Sequence, residues 1–249
     1  MQIDRLSLRG FRNYEDAQAQ FVPGVNLLVG GNANGKTNLL EAVSYLSTGR
    51  SFRTRREAEL IRFGADFAEL RAQVQSQERT RELRAVLFSG RRPRQLWLAG
   101  VRQRSRAALS GVLTSVLFCP EDLMILKKGA SGRRRLMDGV ICQLRPNYEA
   151  ALAEYGRLLD QKSALLRERY DNPSLLQVLP EYDLRMAQTG ALVISYRARY
   201  VKALAQEAAR YHREFSGDSE TLELTYRTVS TVTDPFAPPE TLCAQLQEH

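Results

Sequence analysis

Eight consecutive residues carry the strongest chemical signal in this chain. Gly30-Gly31-Asn32-Ala33-Asn34-Gly35-Lys36-Thr37 fits the pattern G-x-x-x-x-G-K-[ST], and each fixed position has a physical task. Gly30 and Gly35 let the backbone turn until its N–H groups point inward at phosphate oxygens. Lys36 sets an ammonium against the terminal phosphates, and Thr37 offers a hydroxyl to Mg²⁺. A helix beginning near Gly35 aims its positive end at the same anion. The loop reads as a cradle for a nucleoside triphosphate, ATP with magnesium. Average composition gives such a match by chance in about 1% of chains this long, and an apolar strand before it with a helical pattern after it lowers that further.

Hydrolysis needs a second element, an apolar strand closed by acids that hold the metal and orient water. The nearest candidate is Val116-Leu117-Phe118-Cys119-Pro120-Glu121-Asp122. Pro120 stands between the run and its carboxylates and shifts their register, so this segment is read as something else. Only His212 and His249 are present, which leaves histidine triads and zinc sites without material. Cys119, Cys142 and Cys243 are odd in number and widely spaced, a pattern of reduced thiols and not of a disulfide framework.

Several elements must position the loop. Leu6 and Leu8 alternate with Arg5, Ser7 and Arg9, which predicts a strand. Gly24 to Gly30 is a short apolar run that predicts a buried strand ending in the loop. Leu39, Leu40, Val43 and Leu46 then fall at helical spacing. Strict alternation over 68–75 predicts a half-buried antiparallel strand, and 83–88 and 95–101 read as further strands joined by the turn 89–93. Val112 to Cys119 reads as a buried strand stopped by Pro120. After Pro146 the pattern becomes helical until Asn172-Pro173. A second helix follows, with Leu184, Ala187, Ala191, Ile194, Ala198, Val201, Ala205 and Ala208 stepping by three and four, as in a coiled-coil seam, a tight helical hairpin or a helical core. Its 28 residues from Leu184 to Tyr211 would span roughly 42 Å. Thr221 to Thr231 returns to strand character.

The 249 residues carry a formal charge of +8, with 43% hydrophobic and 26% charged residues. No apolar run approaches the ~18 residues of a membrane helix, and the N-terminus lacks the pattern of a secretion signal. A cytoplasmic protein without a membrane partner is expected. Between Arg50 and Arg106 there are fifteen arginines, no lysine and six acids. Arginine's planar fork suits phosphate oxygens, so this excess points to DNA or RNA more than to a merely solvated surface.

Several segments together resemble the RecF family, bacterial recombination-mediator ATPases related to the SMC heads of the ABC superfamily. They are Phe11-Arg12-Asn13-Tyr14, the loop continued through Asn38-Leu39-Leu40-Glu41-Ala42, Gly49-Arg50-Ser51-Phe52-Arg53, Leu117 to Leu123, Arg133 to Asp138, and Tyr155 to Leu166. The resemblance implies an α/β fold, a P-loop NTPase of the ABC/SMC-like head type with an antiparallel β-meander and a helical arm subdomain. Residues 1–119 would form the first part of the ATPase lobe, 120–215 the arm, and 216–249 an incomplete return to the lobe. By position, Gly30, Gly31, Asn32, Ala33, Asn34, Gly35, Lys36 and Thr37 would hold the triphosphate, with Arg12 and Asn13 close to it. Thr37 and Glu121 would lie at the Mg²⁺. The resemblance further implies binding to single-stranded or gapped DNA, partners of the RecO and RecR type, and an ATP-dependent homodimer. Roles in repair, replication and SOS induction follow, with weak DNA-dependent ATPase activity in the intact protein. The family commonly has glycine where Ala33 stands. Its signature motif and Walker B strand lie further along than His249, so the sequence reads as a C-terminally truncated member.

Two other classes remain open on the residues alone. A P-loop kinase of a small molecule would need a lid and an acceptor site, in which the seam from Leu184 to Ala208 has no obvious place. An SMC-like structural protein with a vestigial nucleotide site would bind DNA equally with and without ATP.

Overall fold

The computed structural model describes residues 1–76, 79–125, 127, 129–169 and 172–248, with the side chain of Glu121 excepted. The chain divides into two compact units, residues 1–129 with 142–146, and residues 130–141 with 147–249.

The first unit is a six-stranded antiparallel sheet in the order β2-β1-β3-β4-β5-β6, from β1 (Gln2–Phe11), β2 (Tyr14–Gln20), β3 (Phe67–Ser76), β4 (Arg79–Phe88), β5 (Gln95–Leu98) and β6 (Val101–Gln103). Alternation decides which face is buried. Leu6 and Leu8 of β1, Leu70, Ala72 and Val74 of β3, and Leu83, Ala85 and Leu87 of β4 point to one side. There they join Leu39, Ala42, Tyr45 and Leu46 of α1 (Lys36–Thr48) in one apolar cluster. Arg9 of β1, Arg71 of β3 and Arg84 of β4 fall on the other face, as period-two patterning requires, whereas Arg79 and Arg81 share the parity of Leu83 at the exposed end of β4. The run 95–101, expected as one strand, is two. Ala99 and Gly100 both have positive φ, 49° and 79°, the pair of left-handed residues that closes a two-residue hairpin. Leu40, expected in the buried stripe of α1, is exposed, and Glu41 takes the buried position beside it.

Three expected strands form no ladder. Residues 24–30, 114–119 and 221–229 have no assigned strand or helix. In the first, Val25, Leu27 and Val29 are 93%, 83% and 81% exposed, while Leu28 packs on the core. In the second, Val112 and Leu113 are buried at its start but Val116 and Phe118 are exposed. The third keeps an alternation of exposed and half-buried side chains. Apolar runs of this kind suit strands covered on both faces and paired on both edges, and among the described residues no strand pairs with them. The sequence pattern encodes the side-chain alternation and does not by itself supply hydrogen-bonded neighbours.

The second unit is helical. It holds most of α2 (Ala130–Leu144), then α3 (Pro146–Glu168), α4 (Leu179–Ser216) and α5 (Pro239–Gln247). Glu154 and Lys162 of α3 form ion pairs with Arg185 and Asp183 of α4. Gly190 of α4 lies where a Cβ would stand 3.3 Å from Leu246 and 3.4 Å from Tyr155, so glycine there allows α3 and α5 to close on α4. Beneath lies a polar knot. Asp138 receives both Nε and Nη2 of Arg197 at 2.9 Å and the hydroxyl of Tyr148. At 38 residues α4 is longer than its apolar seam suggested, about 57 Å at 1.5 Å per residue. No helix among the described residues is long and apolar enough to cross a membrane.

Candidate nucleotide-binding site

The phosphate loop leads directly into α1. Gly35 precedes the helix with φ 96°, and Ala33 has φ 66°. A left-handed alanine costs about 1–2 kcal/mol relative to glycine, so the position where the family pattern has glycine is one whose backbone favours it. Residues 31–34 are exposed. Lys36 turns back over the loop and donates from Nζ to the carbonyls of Gly30 and Gly31, 2.7 Å each. Thr37 lies exposed in the first helical turn.

Gly35 is held from below. A Cβ there would meet the Asn13 amide and the Tyr14 hydroxyl at 2.8 Å, and Tyr14 donates to the Gly35 carbonyl at 3.1 Å. Asn38 reaches back to Asn13 Oδ1 at 2.8 Å and accepts from Arg53 Nη1 at 2.7 Å. Asn13 therefore sits against the loop.

Arg12 lies one layer behind. Its Nε and Nη2 grip Glu41 at 2.9 and 2.7 Å, and its Nη1 donates to the Glu59 carbonyl at 2.8 Å. Glu41 is 0% exposed and also receives the Ser51 hydroxyl and, at 3.4 Å, Arg53 Nη1. Ser51 in turn accepts from the backbone of Arg53 and Thr54. A buried carboxylate is tolerable only with such partners. Glu41 thus clamps the turn 12–13, the helix α1 and the segment 51–54 together.

The turn 12–13 is itself fixed. Gly10 has φ 62°, and a Cβ there would stand 2.5 Å from the Phe67 carbonyl. Arg62 donates its backbone N–H to Gly10 O, and Arg12 donates to Leu60 O, both 2.8 Å. At the far end of α1, Tyr45 donates to Glu57 Oε1 at 2.7 Å beside Arg94. Burial pushes the Tyr45 hydroxyl well above its ordinary value of 10.0.

Glu41, Asn38, Ser51 and Tyr14 were not singled out as site residues from their types and spacing. For Glu41 a signal existed, because a charged residue beside Ala42 and Tyr45 on the buried face of a helix demands a cationic partner. The side chain of Glu121 lies outside the described residues. Its neighbour Asp122 caps the backbone N–H of Cys119 at 2.9 Å, in a 3-10 turn that Pro120 starts. No disulfide joins Cys119, Cys142 or Cys243. Among the described residues, no group of three or more histidine, cysteine or acidic side chains is arranged to hold a metal.

The family profile for the RecF/RecN/SMC N-terminal domain matches residues 2–91, the stretch that holds the loop, α1 and the clamp. The DNA replication and repair protein RecF of Symbiobacterium thermophilum is 40% identical over 248 residues, 99% of this chain and 65% of that protein. The solved structure of the recombination mediator protein RecF-ATPrS in the RecFOR pathway superposes with a TM-score of 0.90 at 28% identity, over 99% of this chain and 66% of that one. The corresponding RecF-ATP structure gives a TM-score of 0.85 at the same identity and coverage. The chain therefore spans just under two thirds of the length of the curated relative. Along almost all of its residues the chain is similar in sequence to RecF proteins, and it has the fold of their ABC/SMC-like ATPase head.

Proposed function

We propose that this chain is the ATP- and DNA-binding part of a RecF-type recombination mediator. The observation that carries the reading is the loop 30–37, exposed over residues 30–34, opening directly on α1 and braced from behind by Asn13, Tyr14 and the Glu41 clamp. A loop of this kind offers an anion its backbone N–H groups, the Lys36 ammonium and a helix N-terminus. ATP is the nucleotide in one of the similar solved structures. Mg²⁺ fits the donor set on one side, since Thr37 is exposed one residue beyond Lys36 and magnesium is held by few protein groups together with phosphate oxygens.

The proposal assigns Gly30 to Thr37 to the triphosphate and Arg12 and Asn13 to its support. Single-stranded or gapped DNA is the polyanion that the arginine excess serves. Mediators of the RecO and RecR type, an ATP-dependent homodimer of the intact protein, and cytoplasmic work in repair, replication and SOS induction belong to the same reading.

Lys36→Ala tests the reading. Binding of a fluorescent ATP analogue should fall at least a hundredfold, from loss of a charge-assisted contact and of the two hydrogen bonds that shape the loop. ATP should change DNA affinity in the parent chain and not in the variant. Retained nucleotide affinity, or DNA binding identical with and without ATP in the parent, overturns it.

A further inference from the structure

The solvent face of the antiparallel sheet carries a repeated arrangement that the nucleotide site does not use. Three aromatic rings point outward from β3, β4 and β5, and each has an arginine over it. Arg84 lies 4.4 Å from the Trp97 ring centre, Arg92 4.2 Å from that of Phe88, and Arg9 5.7 Å from that of Phe67. The register places them on one surface. Phe67 pairs with Phe88, and Arg71, Arg84, Trp97 and Arg102 form one row across β3, β4, β5 and β6. At ~4.8 Å per strand that row spans about 14 Å. Two acids share this face. Glu69 is buried under Arg71 and Arg84 and bonded to both, so its charge does not face the solvent unpaired, and Glu82 stands half-buried two residues before Arg84.

We infer that this face is a platform for single-stranded DNA, with the guanidinium of Arg84 on Trp97 as its central stacking surface and Arg71 and Arg102 as phosphate contacts. The inference rests on the DNA-binding reading above and names where that binding occurs. Flat rings capped by flat cations offer stacking to unpaired bases without demanding a sequence, and the surrounding arginines follow the backbone. A duplex closes its base faces within its own stack, leaving only the phosphate contacts to this surface. Single strands are therefore favoured here.

Trp97 is the one tryptophan in the chain, so intrinsic fluorescence reports on the centre of the platform without a label. The experiment titrates the 249-residue chain with a thymidine oligonucleotide of about 16 nucleotides and with a duplex of equal length, following Trp97 emission and, separately, anisotropy of labelled DNA. Saturable quenching by the single strand is expected, with weaker binding of the duplex and about tenfold loss of affinity in Trp97→Ala. Arg92→Glu/Arg102→Glu, at exposed positions, should give at least the same loss while leaving the thermal unfolding transition in place, and it decides the matter if Trp97→Ala fails to fold. Binding by anisotropy with unchanged Trp97 emission and no effect of the arginine pair overturns the platform and leaves the DNA reading intact. Absence of binding to either DNA overturns both.

Discussion

Replacing Glu41 by glutamine keeps the volume of the side chain and removes its charge. The carboxylate is fully buried and takes two hydrogen bonds from Arg12, whose side chain is itself 17% exposed. Removing one partner of a buried ion pair costs about 3–5 kcal/mol. Arg12 retains the Glu59 carbonyl and some solvent, which favours the lower end, about 3 kcal/mol. Domains of 150–250 residues lose about 2–4 °C of Tm per kcal/mol, so a fall of about 6–12 °C is expected. Trp97 lies in the same unit as Glu41, and its fluorescence during a thermal scan follows that unit alone. Arg53→Gln is the control. Arg53 is 44% exposed and 3.4 Å from Glu41, a pair worth at most about 1 kcal/mol. Glu41→Leu combined with Arg12→Met should restore part of the loss, because both charges then disappear together. A Glu41→Gln shift below 2 °C, or one no larger than that of Arg53→Gln, refutes the clamp.

Two other outcomes follow from the geometry. Burial raises the hydroxyls of Tyr45 and Tyr148 above the usual 10.0, aided at Tyr148 by its bond to Asp138. The unfolded chain therefore loses these protons first, and the stability they contribute is present below pH 10 and falls as pH rises beyond it. Urea unfolding at pH 9, 10 and 11 should show that decline, smaller in Tyr45→Phe for the first unit and in Tyr148→Phe for the second. Gly10→Ala would bring a Cβ against the Phe67 carbonyl and should abolish soluble expression, whereas Gly64→Ala, also at positive φ but in open space, should cost only about 1–2 kcal/mol. Equal behaviour of the two would show that backbone strain and not the close approach governs Gly10.

What was legible in the sequence was local. The phosphate loop declares itself because each of its positions answers a short-range demand, and β3 does so because the eight residues 68–75 alternate without interruption. The break at Ala99-Gly100 was missed because alanine gives no sign that it will adopt a left-handed backbone. The clamp was hidden for a different reason. Arg12, Glu41 and Ser51 are 29 and 10 residues apart in sequence, and only the fold makes them neighbours. The segments 24–30, 114–119 and 221–229 mark the limit of pattern reading, since alternation specifies which way side chains point and says nothing about which strand will bond to the edge.

The segment 24–30 runs straight into the residues that hold phosphate, yet its apolar side chains at 25, 27 and 29 face solvent and its backbone pairs with no strand among the described residues. Its pairing and the occupancy of the loop are then two binding events on one length of chain. If a strand that docks beside Val29 fixes Gly30 for phosphate, thermodynamic reciprocity requires that the triphosphate tighten that docking by the same factor. Under that condition nucleotide would act as a linkage ligand for the segment as well as an occupant of the loop, and its affinity would report on the backbone of residues 24–30.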